Sequence, residues 1–119
     1  FDLMGQENAE STGTRQLSGV GGQMDFLEGA YRSKGGKGFI CINSSRVTKD
    51  GERKSNILAT IPGGSTISAP RTMIQYVATE YGIASLSGKT LRERAEAMAS
   101  IAHPDFREEL MKYAQENFK

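Results

Sequence analysis

The chain holds one cysteine and one histidine in 119 residues, almost no excess of charge of either sign, and no long apolar run. Each scarcity closes off a class of function. A single thiol cannot form a disulfide within one chain, so no disulfide framework is possible. Cys41, inside the apolar run Gly38-Phe39-Ile40-Cys41-Ile42, is expected to be a buried strand thiol in a reducing compartment. With one histidine and one cysteine, a zinc site would need carboxylates from separate loops, and the chain carries no metal motif. Lysine and arginine number 15 against 14 acidic residues, a net charge of +1, and they are scattered. No nucleic-acid footprint and no polybasic membrane patch follows from such a pattern. Nothing is apolar for long enough to span a bilayer, and no basic start precedes an apolar signal core. The chain therefore reads as cytoplasmic. An initiating methionine is also missing: Phe1 opens the chain inside what reads as a strand, Phe1 to Gly5. That start suggests a piece of a longer protein, with an open sheet edge that would favour homo-oligomers.

What the chain has in quantity is glycine at one junction. Leu17-Ser18-Gly19-Val20-Gly21-Gly22-Gln23-Met24-Asp25-Phe26 runs from a glycine-dense turn directly into helical spacing. Glycine tolerates positive φ and has no Cβ to block a ligand, and a helix start offers unpaired N–H groups at a positive dipole end. An oxyanion, a phosphate or a carbonyl suits such a place; so does a purely structural tight turn. The dinucleotide fingerprint is not met, because Met24 stands where its third glycine belongs. The P-loop is not met either, since no Gly-Lys-Ser/Thr closes the run.

Length and patterning suggest one small domain over residues 1–119. Met24, Leu27 and Tyr31 fall on one face of a helix over residues 23–32. Phe39 to Ile42 reads as a buried strand, and Asp50-Gly51 as a hairpin tip with a return strand from Ser55 to Ile61. Thr66 to Ala69 and Ile74 to Thr79 read as further strands. Thr90-Leu91-Arg92-Glu93 fits a capping box, after which Leu91, Ala95, Met98 and Ala102 share a helix face. Pro104 ends that helix and opens another, whose buried face is Phe106, Leu110, Tyr113 and Ala114. The order of elements gives an α/β fold with a mixed sheet, flanking helices and a C-terminal helical pair.

Few side chains are left as candidates for chemistry. Cys41 has no basic neighbour in sequence to activate it as a nucleophile. His103 could be a base or a ligand, but its place before Pro104 suits a helix cap. Lys34 and Lys37, set among Gly35, Gly36 and Gly38, could contact phosphates or simply be solvated. Arg92, Glu93, Arg94 and Glu96 read as a solvated helix face. Glu80 stands out, because Thr79-Glu80-Tyr81-Gly82 sets a carboxylate beside a tight turn after an apolar strand. Either a site role or a structural one fits it.

Six stretches, in this order, resemble the C-terminal domain of the acetyl-CoA hydrolase/transferase family, within it the 4-hydroxybutyrate CoA-transferase group. They are Asp2-Leu3-Met4-Gly5-Gln6, Ser18 to Phe26, Ser33 to Lys37, Val77 to Ala84, Leu86 to Ala95 and Ile101 to Arg107. The resemblance covers almost the whole chain and implies a CoA-transferase-type fold (the NagB/RpiA/CoA transferase-like class). It implies a parent that moves CoA between a short acyl or hydroxyacyl group, of the 4-hydroxybutyrate, butyrate or acetate type, and a carboxylic acid. The implied route passes through an acyl-glutamyl anhydride and a glutamyl-CoA thioester. By motif position, Gly22 would supply an oxyanion-hole N–H, with Gly19, Val20, Gly21 and Gln23 shaping the approach to acyl-CoA. Glu80 would be an auxiliary carboxylate, and Lys34 and Lys37, from their glycine-rich setting rather than from the motif, are the candidate CoA contacts. The nucleophilic glutamate would lie before Phe1, in the N-terminal domain of the same parent. The piece alone would then be inactive, with CoA as substrate and no metal. Asn43-Ser44-Ser45-Arg46 and Ala69-Pro70-Arg71 depart from the family pattern and leave substrate choice open. An acyl-CoA hydrolase and a non-catalytic CoA- or nucleotide-binding module remain alternatives.

Overall fold

A computed structural model describes every residue from Phe1 to Lys119. Seven short strands and three helices follow in the order β1 (Ser11–Thr12), β2 (Arg15–Gln16), α1 (Gln23–Arg32), β3 (Phe39–Cys41), β4 (Ser45–Val47), β5 (Arg53–Ser55), β6 (Tyr76–Thr79), β7 (Gly82–Ser85), α2 (Leu91–Ser100) and α3 (Pro104–Asn117). The central sheet is mixed, in the order β3-β6-β7. Its β3/β6 pair is parallel and its β6/β7 pair antiparallel. The other two sheets are single hairpins, β1-β2 and β4-β5.

The alternation of side chains along a strand explains how this sheet is used. Register places Ile40, Val77 and Ala84 side by side on one face, and all three are buried. They join a core with Met98, Ala99 and Ala102, while α2 packs on α3 and against β7. On the opposite face lie Phe39, Cys41 and Ile83, all exposed, with the Phe39 ring stacked on Tyr76 at 4.7 Å. Cys41 is thus not the buried thiol the apolar run suggests. A three-residue strand turns every second side chain outward, and here the inward position belongs to Ile40.

The helices start where local chemistry starts them. Thr90 Oγ1 accepts from Glu93 N–H and the Glu93 carboxylate accepts from Thr90 N–H, the complete capping box. His103 caps α3, its Nδ1 accepting from Asp105 N–H at 3.2 Å, ahead of Pro104 at the first helical position.

Four further expectations are corrected. Phe1 to Gly5 is no strand: Asp2 makes one isolated bridge to Leu58, and Phe1 and Leu3 are buried, so no open sheet edge exists there. The buried Asp2 carboxylate instead folds this segment on itself, accepting from Met4 N–H, Gln6 N–H and the Gln6 side-chain amide. Around Asp50-Gly51 the hairpin forms, but its return strand is β5 rather than Ser55 to Ile61; beyond Ser55 the chain departs to cover the core with Ile57. Thr66 to Ala69 is not a strand but is tied to the chain start by a bridge from Ala69 to Glu7. Finally, Arg94 is not on a solvated face. It is 8% exposed and donates to three carbonyls, those of Met4, Leu86 and Arg71, so that it staples the chain start to α2.

Candidate active site

The glycine turn sits between two anchored arms. On the entering side, Leu17 and Ser18 N–H donate to the Glu10 carbonyl, and the Gln16 amide bridges the Glu10 carboxylate and the Ser18 carbonyl at 2.7 Å each. On the leaving side, Gln23 Nε2 donates to Glu7 Oε2 at 2.6 Å. Between them Gly19 to Gly22 are exposed, and the apolar side chains of Leu17, Val20 and Phe26 stand out around the turn.

Only one of these glycines is required by backbone conformation. Gly21 has φ +65°, a left-handed value that side chains resist. Gly22, the N-cap of α1, has φ −96°, and a Cβ built there would meet nothing nearer than Phe26 Cε2 at 3.9 Å. A Cβ at Gly19 would meet nothing within 4 Å. No side chain caps α1, and the N–H groups of Gly22, Gln23, Met24 and Asp25 find no acceptor in the chain. Unblocked donors at a helix start, with bare backbone in front, can bind an oxyanion.

Glu80 occupies the two-residue tip between β6 and β7. Its carboxylate receives Ser44 Oγ–H at 2.6 Å and Ser44 N–H at 2.9 Å. Those two bonds hold Glu80 below the usual carboxylate range, with a smaller contribution from nearby His103. The tip itself is fixed by Thr79 Oγ1 donating to the Ile101 carbonyl, and by the Tyr81 ring edge-on to His103 and under the Arg107 guanidinium. Ser44 follows β3 and Glu80 follows β6, so the pair stands at the carboxyl ends of two parallel strands, where α/β sheets place ligands.

The predicted residues thus form three separate groups. Gly19, Val20, Gly21 and Gly22 make one exposed turn, with Gln23 turned away from it onto Glu7. Glu80 is bonded to Ser44, and no hydrogen bond links it to the turn. Lys34 and Lys37 are exposed in the loop after α1, a helix of ten residues or about 15 Å beyond Gly22. Sequence reasoning missed Glu7, Glu10 and Ser44. Asn43-Ser44-Ser45 stood out only as a departure from the family pattern, and the two glutamates fall in no motif. Elsewhere a cleft of about 860 Å³ runs beside the β4-β5 hairpin, walled by Phe1, Ile42, Ile57, Phe106 and Tyr113 and edged by Arg46 and Arg53. No group of histidine, cysteine and carboxylate side chains in the structure could hold a metal ion, and no helix is long and apolar enough to cross a membrane.

The fold is thus a mixed α/β domain that carries an open donor turn and, apart from it, a serine-held glutamate at its strand ends. The chain belongs to the acetyl-CoA hydrolase/transferase family, matching the model of its C-terminal domain over residues 1–114. It is 49% identical over 114 residues to a butyryl-CoA:acetate CoA-transferase of Anaerostipes caccae, covering 96% of this chain and 26% of that protein. With the 4-hydroxybutyrate coenzyme A transferase of Clostridium kluyveri it shares 50% over 117 residues, 98% of this chain and 27% of that one. Among solved structures, RipA from Yersinia pestis superposes with a TM-score of 0.82 at 40% identity, over 98% of this chain and 25% of RipA. The chain therefore spans about a quarter of the length of the relatives it matches.

Proposed function

We propose that the protein containing this chain is a CoA-transferase. It exchanges CoA between a short acyl or hydroxyacyl group, of the 4-hydroxybutyrate, butyrate or acetate type, and a carboxylic acid, by way of a glutamyl-CoA thioester. This segment supplies the Gly22 N–H as an oxyanion donor and Glu80 as an auxiliary carboxylate. The nucleophilic glutamate comes from the part of the parent that precedes it. Support comes from family membership, from the transferase relatives, and above all from Gly22, whose bare backbone the fold itself does not require.

The chemistry follows from the demands of the reaction. A carboxylate attacking a thioester carbonyl drives charge onto the carbonyl oxygen, and a donor already aimed at that position stabilises it without reorganisation. A side chain at Gly19 or Gly22 would stand in the approach path. Glu80, kept anionic by Ser44, is unsuited to giving up a proton and suited to accepting a hydrogen bond from the substrate side, so its role is to orient the reacting carboxylate or the incoming acid. Lys34 and Lys37, at the far end of α1, suit the phosphate end of an extended ligand such as CoA. The acyl-glutamyl anhydride must be kept from water, and the apolar Leu17, Val20 and Phe26 around the turn give the rest of the parent a surface to close against.

The test is a transfer assay on the full-length parent with acetyl-CoA or butyryl-CoA and 4-hydroxybutyrate or acetate. Gly22→Val keeps the N–H but sets a branched side chain in front of it, and should cost roughly 100-fold in kcat, the scale of one oxyanion interaction, with a loss of stability of only about 1 kcal/mol from the poorer N-cap. Equal loss of Tm and activity would reduce the turn to a structural element. Release of free acid with no transfer would make the parent a hydrolase, and CoA binding without turnover would make it a binding module.

A further inference from the structure

We propose that Glu7 is a positioning residue for the glycine turn, locking the start of α1 to the body of the domain through its bond to Gln23. The inference rests on the reading of the turn as the oxyanion site. Glu7 is 5% exposed and lies on no regular element. Its backbone is bound on both sides to the Ser68-Ala69 segment: Glu7 N–H donates to the Ala69 carbonyl at 3.1 Å, and its carbonyl accepts from Ser68 N–H at 2.7 Å. Ser68 Oγ accepts in turn from Ala9 N–H at 2.9 Å. The main chain of Glu7 is therefore a fixed point. From it the side chain reaches to Gln23, the residue next to Gly22, and takes its amide at 2.6 Å.

No lysine, arginine or histidine pairs with this carboxylate. The structure's ion pairs all lie elsewhere, and burial pushes the Glu7 carboxyl above its usual range, against the pull of the Gln23 bond and the smaller pull of the Phe1 ammonium. A buried carboxyl with no ion-pair partner in contact is a costly way to fill space. Its one side-chain partner is the residue that fixes where α1 begins. The opposite arm repeats the device, since Glu10, also buried, holds Leu17 and Ser18 through its carbonyl and Gln16 through its carboxylate. An otherwise exposed turn, with no side-chain cap on its helix, is thus held from both ends by buried groups. Small errors in donor placement are expensive for a reaction that depends on pre-aimed N–H groups.

The experiment uses the full-length parent with Glu7→Ala, Glu7→Gln, Gln23→Ala and the double variant Glu7→Ala/Gln23→Ala, alongside Gly22→Val. Glu7→Ala is expected to lower kcat by about tenfold or more with the KM for acyl-CoA near that of the wild type. Gln23→Ala should lose a similar factor, and the double variant no more than either single one, because both remove the same link. Glu7→Gln, which can still accept from Gln23, should restore the rate to within about threefold of wild type. A crystal structure of the Glu7→Ala protein should show the Gly19 to Gln23 segment displaced. Unchanged kcat, additive losses, or an undisplaced turn would overturn the proposal. If Gly22→Val abolishes transfer while Glu7→Ala is silent, only the role of Glu7 fails. If the wild type shows no transfer, the reading of the turn fails, and the position of the turn in Glu7→Ala still decides whether Glu7 anchors it.

Discussion

Single side chains in this chain gain their character from what receives them. Glu80 is acidic because Ser44 gives it two hydrogen bonds, so Ser44→Ala should move the Glu80 titration up toward the ordinary carboxylate value, readable by carbon-detected NMR in the full-length protein. The sign for stability follows. A depressed folded value stabilises the fold above the ordinary carboxylate pKa of about 4.3 and loses that contribution as pH falls through the depressed value. Glu93, lowered by its bonds from Thr90, acts in the same direction. Glu7 acts in the opposite one: its raised value contributes below the ordinary pKa and is lost as pH rises through it. Tm should therefore drop on acidification below about pH 5, and Glu7→Gln should be more stable than wild type at neutral pH, where a buried charge no longer has to be desolvated. Wild type melting higher than Glu7→Gln at pH 7 would contradict that account. Arg94 ties three carbonyls to one guanidinium. Arg94→Lys leaves at least two of them without that donor and should cost about 3 kcal/mol in denaturant unfolding.

Elements were legible in proportion to how local their causes are. Helix α1 spans the residues that its spacing predicts, and α2 and α3 start where Thr90 and Pro104 place them, because capping is settled within four residues of sequence. Thr90→Ala should cost about 1 kcal/mol and fray the first turn of α2, measurable as faster amide exchange at Glu93. Strands were harder. β6 was visible in its β-branched and aromatic run, yet β7 and the β1-β2 hairpin were not, since a strand of two to four residues carries too little alternation to read. The segments at Phe1 to Gly5 and Thr66 to Ala69 look like strands because they are apolar and buried. What they lack is a ladder to join: each meets a neighbour at one bridge only.

At the scale of the molecule the central sheet is covered on one face only. Ile40, Val77 and Ala84 are enclosed by the core, whereas Phe39, Cys41 and Ile83 face outward. Cys41 reports on this directly. A thiol reagent should label it in the native 119-residue chain as fast as an accessible cysteine; protection until unfolding would mean that the face is closed. The apolar surface left uncovered in this chain is a sheet face, and no open edge lies at Phe1.

By itself the sequence determined the glycine turn entering a helix, the capped C-terminal helices, the mixed α/β class and, through six ordered motifs, the family. These are properties of neighbouring residues, so neighbouring residues reveal them. Tertiary structure alone decided that Ser44 holds Glu80 from 36 positions away, that Arg94 reaches back 90 positions to Met4, and that Glu7 holds Gln23. A carboxylate or a guanidinium looks the same in sequence whether water or a distant carbonyl or amide will solvate it. Only the folded chain supplies that partner and thereby sets the charge, the burial and the role.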